Sequence, residues 1–247
     1  MPFTLLQITD THLPANPATP YRGQNADDNL KSLIPACRAL KPDGLVLTGD
    51  ISDDYSAPSY QRIVGLLEDL SPNIAWVPGN HDDRSVMEEI FDNAGWTAGP
   101  VLSWGGWQIV LLDSAVDKRI EGHLDEQRLK PVDTLDQATP AMVFIHHQPM
   151  PVGAPWIDKY PLEQPEKLWA KLDPAIVRLV ACGHVHQAFS GQHQGIPCLS
   201  TPSAAVNSQP ATKKFTLDPT GPKARWFRLW PDGQWKTGLV SAANPEP

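Results

Sequence analysis

The chain has 247 residues, 41% of them hydrophobic, which suits one large domain with a sizeable buried core. A formal charge of −8 argues against a nucleic-acid polymer or an anionic membrane surface as partner, so any phosphate ligand needs a local positive source such as metal ions. The start lacks a signal-peptide pattern and no run approaches the ~20 apolar residues of a membrane span, which predicts a soluble cytoplasmic protein.

Residues 3–9 read as a buried strand. Residues 26–40 have helical spacing, with Leu30, Leu33, Ile34 and Cys37 on one face, and Lys41-Pro42-Asp43-Gly44 breaks the pattern. A strand at 45–47, a helix at 58–70, a strand at 74–77 and a helix at 85–93 follow. This alternation predicts parallel strands joined by right-handed crossovers. The pattern then changes: a strand at 108–112, a short helical segment at 125–135 weakened by Pro131, and a strand at 142–145. A loop rich in Pro, Gly and Trp fills 148–165, and a short helix covers 166–172. Closely spaced strands of a second sheet are expected at 178–181, 188–191 and 197–199, with two or three more between 213 and 237, including 224–229. Cys37, Cys182 and Cys198 are too few and too scattered for a disulfide framework and read as small buried residues. The expected fold is α/β, with two mixed β-sheets packed face to face and helices outside. Residues 1–200 would form the core, and 201–247 C-terminal strands or a lid completing the same domain.

Five short clusters punctuate these elements: Asp10-Thr11-His12, Gly49-Asp50, Gly79-Asn80-His81-Asp82, His146-His147 and Gly183-His184-Val185-His186. Each follows a predicted strand, and open α/β sheets bind ligands beyond the carboxyl ends of their strands. Asp10 and His12 are two residues apart, as are His184 and His186, so extended backbone would point each pair one way. Gly49, Gly79 and Gly183 are expected at tight turns. Taken singly the clusters are weak, since a Gly-Asp after a strand is more often a turn than a site. Together they supply seven oxygen or nitrogen ligands and one spare histidine, the inventory of a two-metal hydrolytic site.

The series D-x-H, G-D, G-N-H-[DE], H, G-H-x-H resembles the signature of the calcineurin-like metallophosphoesterases. Within them the chain is similar to the class III bacterial cyclic nucleotide phosphodiesterases of the Icc/CpdA type, in Leu6 to Leu13, Pro78 to Asp82, Leu111 to Ser114, Pro149 to Pro151, Trp156 to Asp158, Cys182 to Gln187, Thr201 to Ser203 and Phe215 to Asp218. The resemblance implies an α-β-β-α sandwich and two metal sites. Asp10, His12, Asp50 and His186 would hold the first metal, and Asp50, Asn80, His146 and His184 the second, with Asp50 bridging. It implies Fe and Mn as the metals; the donor types suit Fe, Mn or Zn and, lacking thiolates, argue against a structural zinc site.

The implied activity is hydrolysis of 3′,5′-cyclic nucleotides, cAMP to AMP, by a hydroxide bridging the two metals. The alternative is a broad-specificity phosphodiesterase acting on glycerophosphodiesters, 2′,3′-cyclic nucleotides or phosphomonoesters. His81 would be the catalytic acid or phosphoryl donor, oriented by Asp53 or Asp82, and His12, Asp50, Asn80, His81 and His186 would contact substrate. The chain departs from many relatives in having Gln148 where they carry a third histidine, which leaves His147 with either a pocket or a structural role. His123 and His193 match no ligand position and read as surface residues. Trp156 and Trp169 are candidates for a base-stacking wall, and Thr201, Ser203 and Asn207 for a lid near the nucleotide. The partner would be a small-molecule cyclic nucleotide, and the relatives' habit of dimerising extends to a possible homodimer. A non-catalytic scaffold of the same fold would show eroded ligands, and none is eroded here.

Overall fold

A computed structural model describes residues 1–242. Its first half follows the hydrophobic periodicity closely. Phe3–Ile8 (β1) sends Leu5 to one face and Leu6 and Ile8 to the other, as the two-residue period of a strand requires. The next elements are Ala26–Ala39 (α1), Gly44–Thr48 (β2), Ala57–Leu67 (α2), Ile74–Val77 (β3) and Arg84–Asn93 (α3). Asn25 caps α1 by accepting from the Asp28 amide, and Asp83 caps α3 by accepting from the amides of Ser85 and Val86. Helix α2 ends three residues before the expected Leu70, because a tighter Leu70 N–H to Leu67 O bond closes its last turn, yet Leu70 stays buried.

Val101–Trp104 (β4) and Trp107–Leu112 (β5) come next, then Gly122–His123 (β6), Glu126–Asp133 (α4), Ala141–Ile145 (β7), Leu162–Glu163 (β8) and Pro165–Trp169 (α5). Val177–Cys182 (β9), Phe189–His193 (β10), Ile196–Ser200 (β11), Lys223–Leu229 (β12) and Trp235–Ser241 (β13) complete the chain. Strand β4 has no counterpart among the sequence expectations. It is an edge strand with no fully buried residue, so it lacks the apolar alternation that marks the others, and a Gly105-Gly106 turn joins it to β5. Residues 213–222 form no strand, so the C-terminal region contributes two strands, β12 and β13.

Two large sheets result. One has the order β13-β12-β1-β2-β3 and the other β10-β11-β9-β7-β5-β4; β6 and β8 make a small separate pair. Strands β1, β2 and β3 are mutually parallel, as are β5, β7, β9 and β11. Leu5, Val46 and Ala75 of the first sheet pack against Ile109, Phe144 and Leu179 of the second. The outer face of the first sheet is covered by α1, α2 and α3, and that of the second by α4 and α5. The layers are therefore α-β-β-α, as the sequence resemblance implies. No described helix is long and apolar enough to cross a membrane.

The central apolar layer sets the relation between the sheets. Phe144 is fully buried there, edge-on to Phe227 at 6.1 Å. Phe144→Ala is expected to cost about 3–5 kcal/mol of folding stability in a urea titration. An unchanged midpoint would contradict the tight apposition of the two sheets.

Candidate metal centre

The parallel strands bring Asp10, Asp50, Asn80, His146 and His184 to one end of the sandwich, just past the carboxyl ends of β1, β2, β3, β7 and β9. Bonds between the strand ends fix this meeting point. The Asp10 amide donates to Gly49 O at 2.9 Å and the Gly183 amide to His146 O at 3.0 Å. The His184 amide donates to Asp10 Oδ2 at 3.0 Å, joining the two sheets across the site.

The backbone there is not extended, contrary to the expectation drawn from the two-residue spacings. Asp10, His12, Asp50, His184 and His186 all have positive φ, between 42° and 66°. Each left-handed residue costs about 1 kcal/mol or more and persists only where its surroundings fix it. Here the amides of His12 and Leu13 donate to Asp50 O and Ile51 O, so the bent chain remains bonded to its neighbour. Of the three flanking glycines, only Gly49 has positive φ. Gly79 and Gly183 instead permit close approach: a Cβ at Gly183 would lie 2.1 Å from Thr9 Oγ1, and one at Gly79 would lie 2.4 Å from the Asp50 amide nitrogen.

The imidazoles are held in matched tautomers. His146 Nδ1–H donates to Thr48 O at 2.6 Å, His186 Nδ1–H to Val206 O at 2.6 Å, and His184 Nε2–H to Tyr160 O at 3.1 Å. Each bond leaves the other ring nitrogen as a bare acceptor. His146 Nε2 then faces His184 Nδ1 at 3.2 Å, and His186 Nε2 faces His12 Nε2 at 3.1 Å. Asp50 divides its oxygens between the pairs, with Oδ1 3.3 Å from His146 Nε2 and Oδ2 3.6 Å from His12 Nε2. Asp10 Oδ1 lies 3.3 Å from His186 Nε2. Asn80 lines the same cleft, and its buried Oδ1 has no hydrogen-bond partner.

Two bare acceptors facing each other, as His146 Nε2 and His184 Nδ1 would, repel unless a proton or a metal ion lies between them. Burial lowers the His146 pKa, but the adjacent Asp50 carboxylate outweighs burial and carries it up to about 9. Burial pushes His12 down to about 4 and, with the neighbouring His146, takes His184 down to about 3, so both are neutral donors near pH 7. Burial also opposes ionisation of Asp50 and Asp10, but the imidazoles beside them hold both carboxylates below their usual range. Imidazole nitrogens, ionised carboxylates and an orphaned amide oxygen converging on two points are a donor set that fits two metal ions.

Three further residues acquire definite places. Asp82 is consumed by the backbone, accepting from the amides of Ile51, Ser52 and Gly79 at 2.9–3.2 Å and from the Tyr60 hydroxyl at 3.2 Å. Asp53 is the carboxylate beside His81, with Oδ1 3.9 Å and its carbonyl oxygen 3.5 Å from His81 Nδ1. His147 is fully engaged: Nε2–H donates to Ile120 O at 3.0 Å and Nδ1 accepts from Ser114 Oγ at 2.8 Å. Its position against the His184 ring at 4.6 Å makes it a support rather than a donor to the centre.

The centre opens into a cleft of about 300 Å³ that also exposes His81, Tyr21, Arg22, Trp156, Lys213 and Phe215. Trp156 lines this cleft. Trp169 does not: it is buried outside the second sheet, with its Nε1–H on Pro149 O and its ring stacked on His193. Thr201, Ser203 and Asn207 are buried rather than lid-like. Ser203 Oγ donates to Asp10 O at 2.7 Å and Asn207 Oδ1 accepts from the Ser203 amide, so they brace the centre from behind. His123 lies away from the centre, 3.7 Å from Glu163. Tyr21 and Arg22 escaped sequence reading because no spacing or motif distinguishes them, and Phe215 stands out in the sequence only within the stretch Phe215 to Asp218, with no role at the site.

A profile of the calcineurin-like phosphoesterase family matches residues 3–188. Over 244 residues the chain is 32% identical to the 3′,5′-cyclic adenosine monophosphate phosphodiesterase CpdA of Pseudomonas aeruginosa, covering 95% of this chain and 88% of that protein. It is 33% identical over 249 residues to the CpdA of Escherichia coli strain K12, covering 97% and 90% respectively. A 3′,5′-cyclic-nucleotide phosphodiesterase of Nostoc sp. is 30% identical, with 97% of this chain and 92% of that protein covered. A solved dimetal phosphatase from Danio rerio shares the fold, with a TM-score of 0.67 at 14% identity over 98% of this chain and 100% of that one.

The Asp82 contacts generate a stability prediction. Asp82→Ala leaves three amides without their acceptor and is expected to lower stability by about 3 kcal/mol, read as a lower thermal midpoint. An unchanged midpoint would show that this carboxylate does not anchor the loop carrying Asn80 and His81.

Proposed function

The chain belongs to the calcineurin-like phosphoesterase family, and on that premise we propose that it is a metal-dependent phosphodiesterase opening 3′,5′-cyclic nucleotides, with cAMP converted to AMP. The observation that carries this reading is the division of Asp50 between two pairs of facing imidazole nitrogens. Asp10, His12, Asp50 and His186 would hold one metal, and Asp50, Asn80, His146 and His184 the other. We take the pair to be iron and manganese, which suit carboxylate, amide and imidazole donors, as zinc also does. When bound, such a pair lowers the pKa of water and neutralises charge on a phosphoryl group. The names of the relatives from Pseudomonas and Escherichia support cAMP as substrate.

The protein's own groups supply the rest of the chemistry. His81 stands at the mouth of the centre, 38% exposed, with Nδ1 turned to Asp53. That orientation leaves Nε2 for the substrate. As a hydroxide ion forms its bond to phosphorus and the P–O3′ bond breaks, His81 Nε2–H donates its proton to the departing oxygen. Asp53 keeps the imidazole turned for that transfer. The His81 amide donates to Asp50 Oδ1 at 2.8 Å, tying the acid to the bridging carboxylate. His12, Asp50, Asn80 and His186 line the cleft beside it and would meet the phosphate. We further propose a cytoplasmic enzyme acting on a small molecule, and a homodimer, on the strength of the family resemblance.

A second reading, hydrolysis of larger linear diesters such as glycerophosphodiesters, draws on one feature. A neighbouring cleft of about 740 Å³ shares Asn80, His81 and Ile120 with the first, so groups could extend to both sides of His81. Comparing kcat/KM for cAMP and for such esters separates the two.

With manganese supplied, the wild-type chain is expected to hydrolyse cAMP. His81→Ala should lower kcat roughly 10²–10⁴-fold while metal content by atomic absorption stays at the wild-type level. No metal-dependent turnover of cAMP by the wild-type protein would contradict the reading. So would a His81→Ala enzyme of full kcat.

A further inference from the structure

The two clefts that meet at His81 differ in how their guanidinium groups are used. Around the larger one, Arg84 pairs with Glu88 and Asp113, Arg119 with Glu163, and Arg128 Nη1 donates to the carbonyls of Asp113 and Ala115. Those guanidinium groups are spent on the protein itself. Arg22, on the smaller cleft, is not. Its one hydrogen bond is Nε–H to Tyr21 Oη at 3.0 Å, and no carboxylate pairs with it among the described residues.

Arg22 is nevertheless held in place. Its Cζ lies 4.1 Å from the centre of the Phe215 ring, 5.4 Å from that of Tyr21 and 5.8 Å from that of Trp156. These rings come from three separate loops, and the Trp156 amide donates to Thr212 O, which ties two of them together. The rings also connect the guanidinium to the metal centre. Tyr21 stacks flat on His12 at 4.1 Å and 10°, while Trp156 and Phe215 stand edge-on to His186 at 6.3 and 6.4 Å. A phosphate seated where His12 and His186 point would therefore have Arg22 one ring layer away, on the cleft side toward which the rest of a nucleotide must extend. Cation–π contacts hold the guanidinium without using its terminal nitrogens, and Arg22 lines the cleft, so its donor fork is left for a ligand there.

Resting on the cyclic-nucleotide reading above, we infer that Arg22 is a specificity-determining residue that, backed by Phe215 and Trp156, receives the nucleobase of the substrate. Guanidinium planes and aromatic faces are the surfaces on which unpaired bases stack. The neighbouring cleft offers no free guanidinium for this task. The contact is formed in the ground state, remote from the breaking P–O bond, so its loss acts on KM rather than on kcat.

The test compares cAMP with methyl p-nitrophenyl phosphate, a diester without a base, in the manganese-loaded full-length protein. Arg22→Ala is expected to raise KM for cAMP roughly ten-fold with kcat within about two-fold, and to lower the ratio of the two kcat/KM values by the same factor. Arg22→Lys keeps the charge but not the plane or fork, and is expected to resemble Arg22→Ala. An equal loss on both substrates would overturn the inference, because it would show that Arg22 acts through Tyr21 on His12. Unchanged cAMP kinetics, or full recovery with lysine, would also overturn it. A wild-type protein that cleaves the small ester but not cAMP would overturn the substrate reading itself and the inference with it.

Discussion

Two pairs of facing imidazole nitrogens, 3.1 and 3.2 Å apart in a buried site and both within reach of the Asp50 carboxylate, are the constraint on which this molecule turns. Each pair needs a proton or a metal ion between its rings. The protein enforces the facing arrangement by committing the opposite nitrogens of His146, His184 and His186 to backbone carbonyls. The nitrogens that face the centre are thereby aimed in advance, and the Asp50 carboxylate, reaching both pairs, joins the two positions. Metal ions held there would supply the positive charge that a net-negative chain lacks for binding phosphate.

The rest of the fold serves this arrangement. Two parallel sets of strands end at the same edge of a face-to-face sandwich, so residues from Asp10 to His186 meet although most of the chain separates some of them. The left-handed backbone at five of these positions is a strained choice that free chain would avoid. It is tolerated because the bent segments stay hydrogen bonded to their neighbours, and because glycines at 79 and 183 allow backbone and side chains to close to distances no Cβ could accept. Behind the centre, Ser203 and Asn207 bond to backbone and to each other, and Asp82 accepts from three backbone amides and the Tyr60 hydroxyl. They brace the loops from which the donors project.

Much of this was readable in the sequence because the donors sit at strand ends, and strands announce themselves by apolar runs such as 45–47 and 142–145. The order of the clusters carried the rest. What the sequence did not show was local geometry. Asp-x-His suggests extended backbone, but tertiary hydrogen bonds impose left-handed turns at Asp10 and His12. Asp53 and Asp82 are equivalent on paper, and only three dimensions reveal that backbone amides consume Asp82. The half-exposed edge strand β4 lacks the alternation that betrays buried strands. The cleft wall was the least readable part. Arg22 and Phe215 are far apart in the chain, and their meeting depends on loops whose course no periodicity encodes.

The most direct test is where metals bind. Crystals of the protein loaded with manganese, measured at the manganese absorption edge, should show two anomalous peaks. One should lie beside Asp50 Oδ2 between His12 and His186, and the other beside Asp50 Oδ1 between His146 and His184. A single peak, or peaks elsewhere on the molecule, would contradict the division of Asp50 between two metal sites.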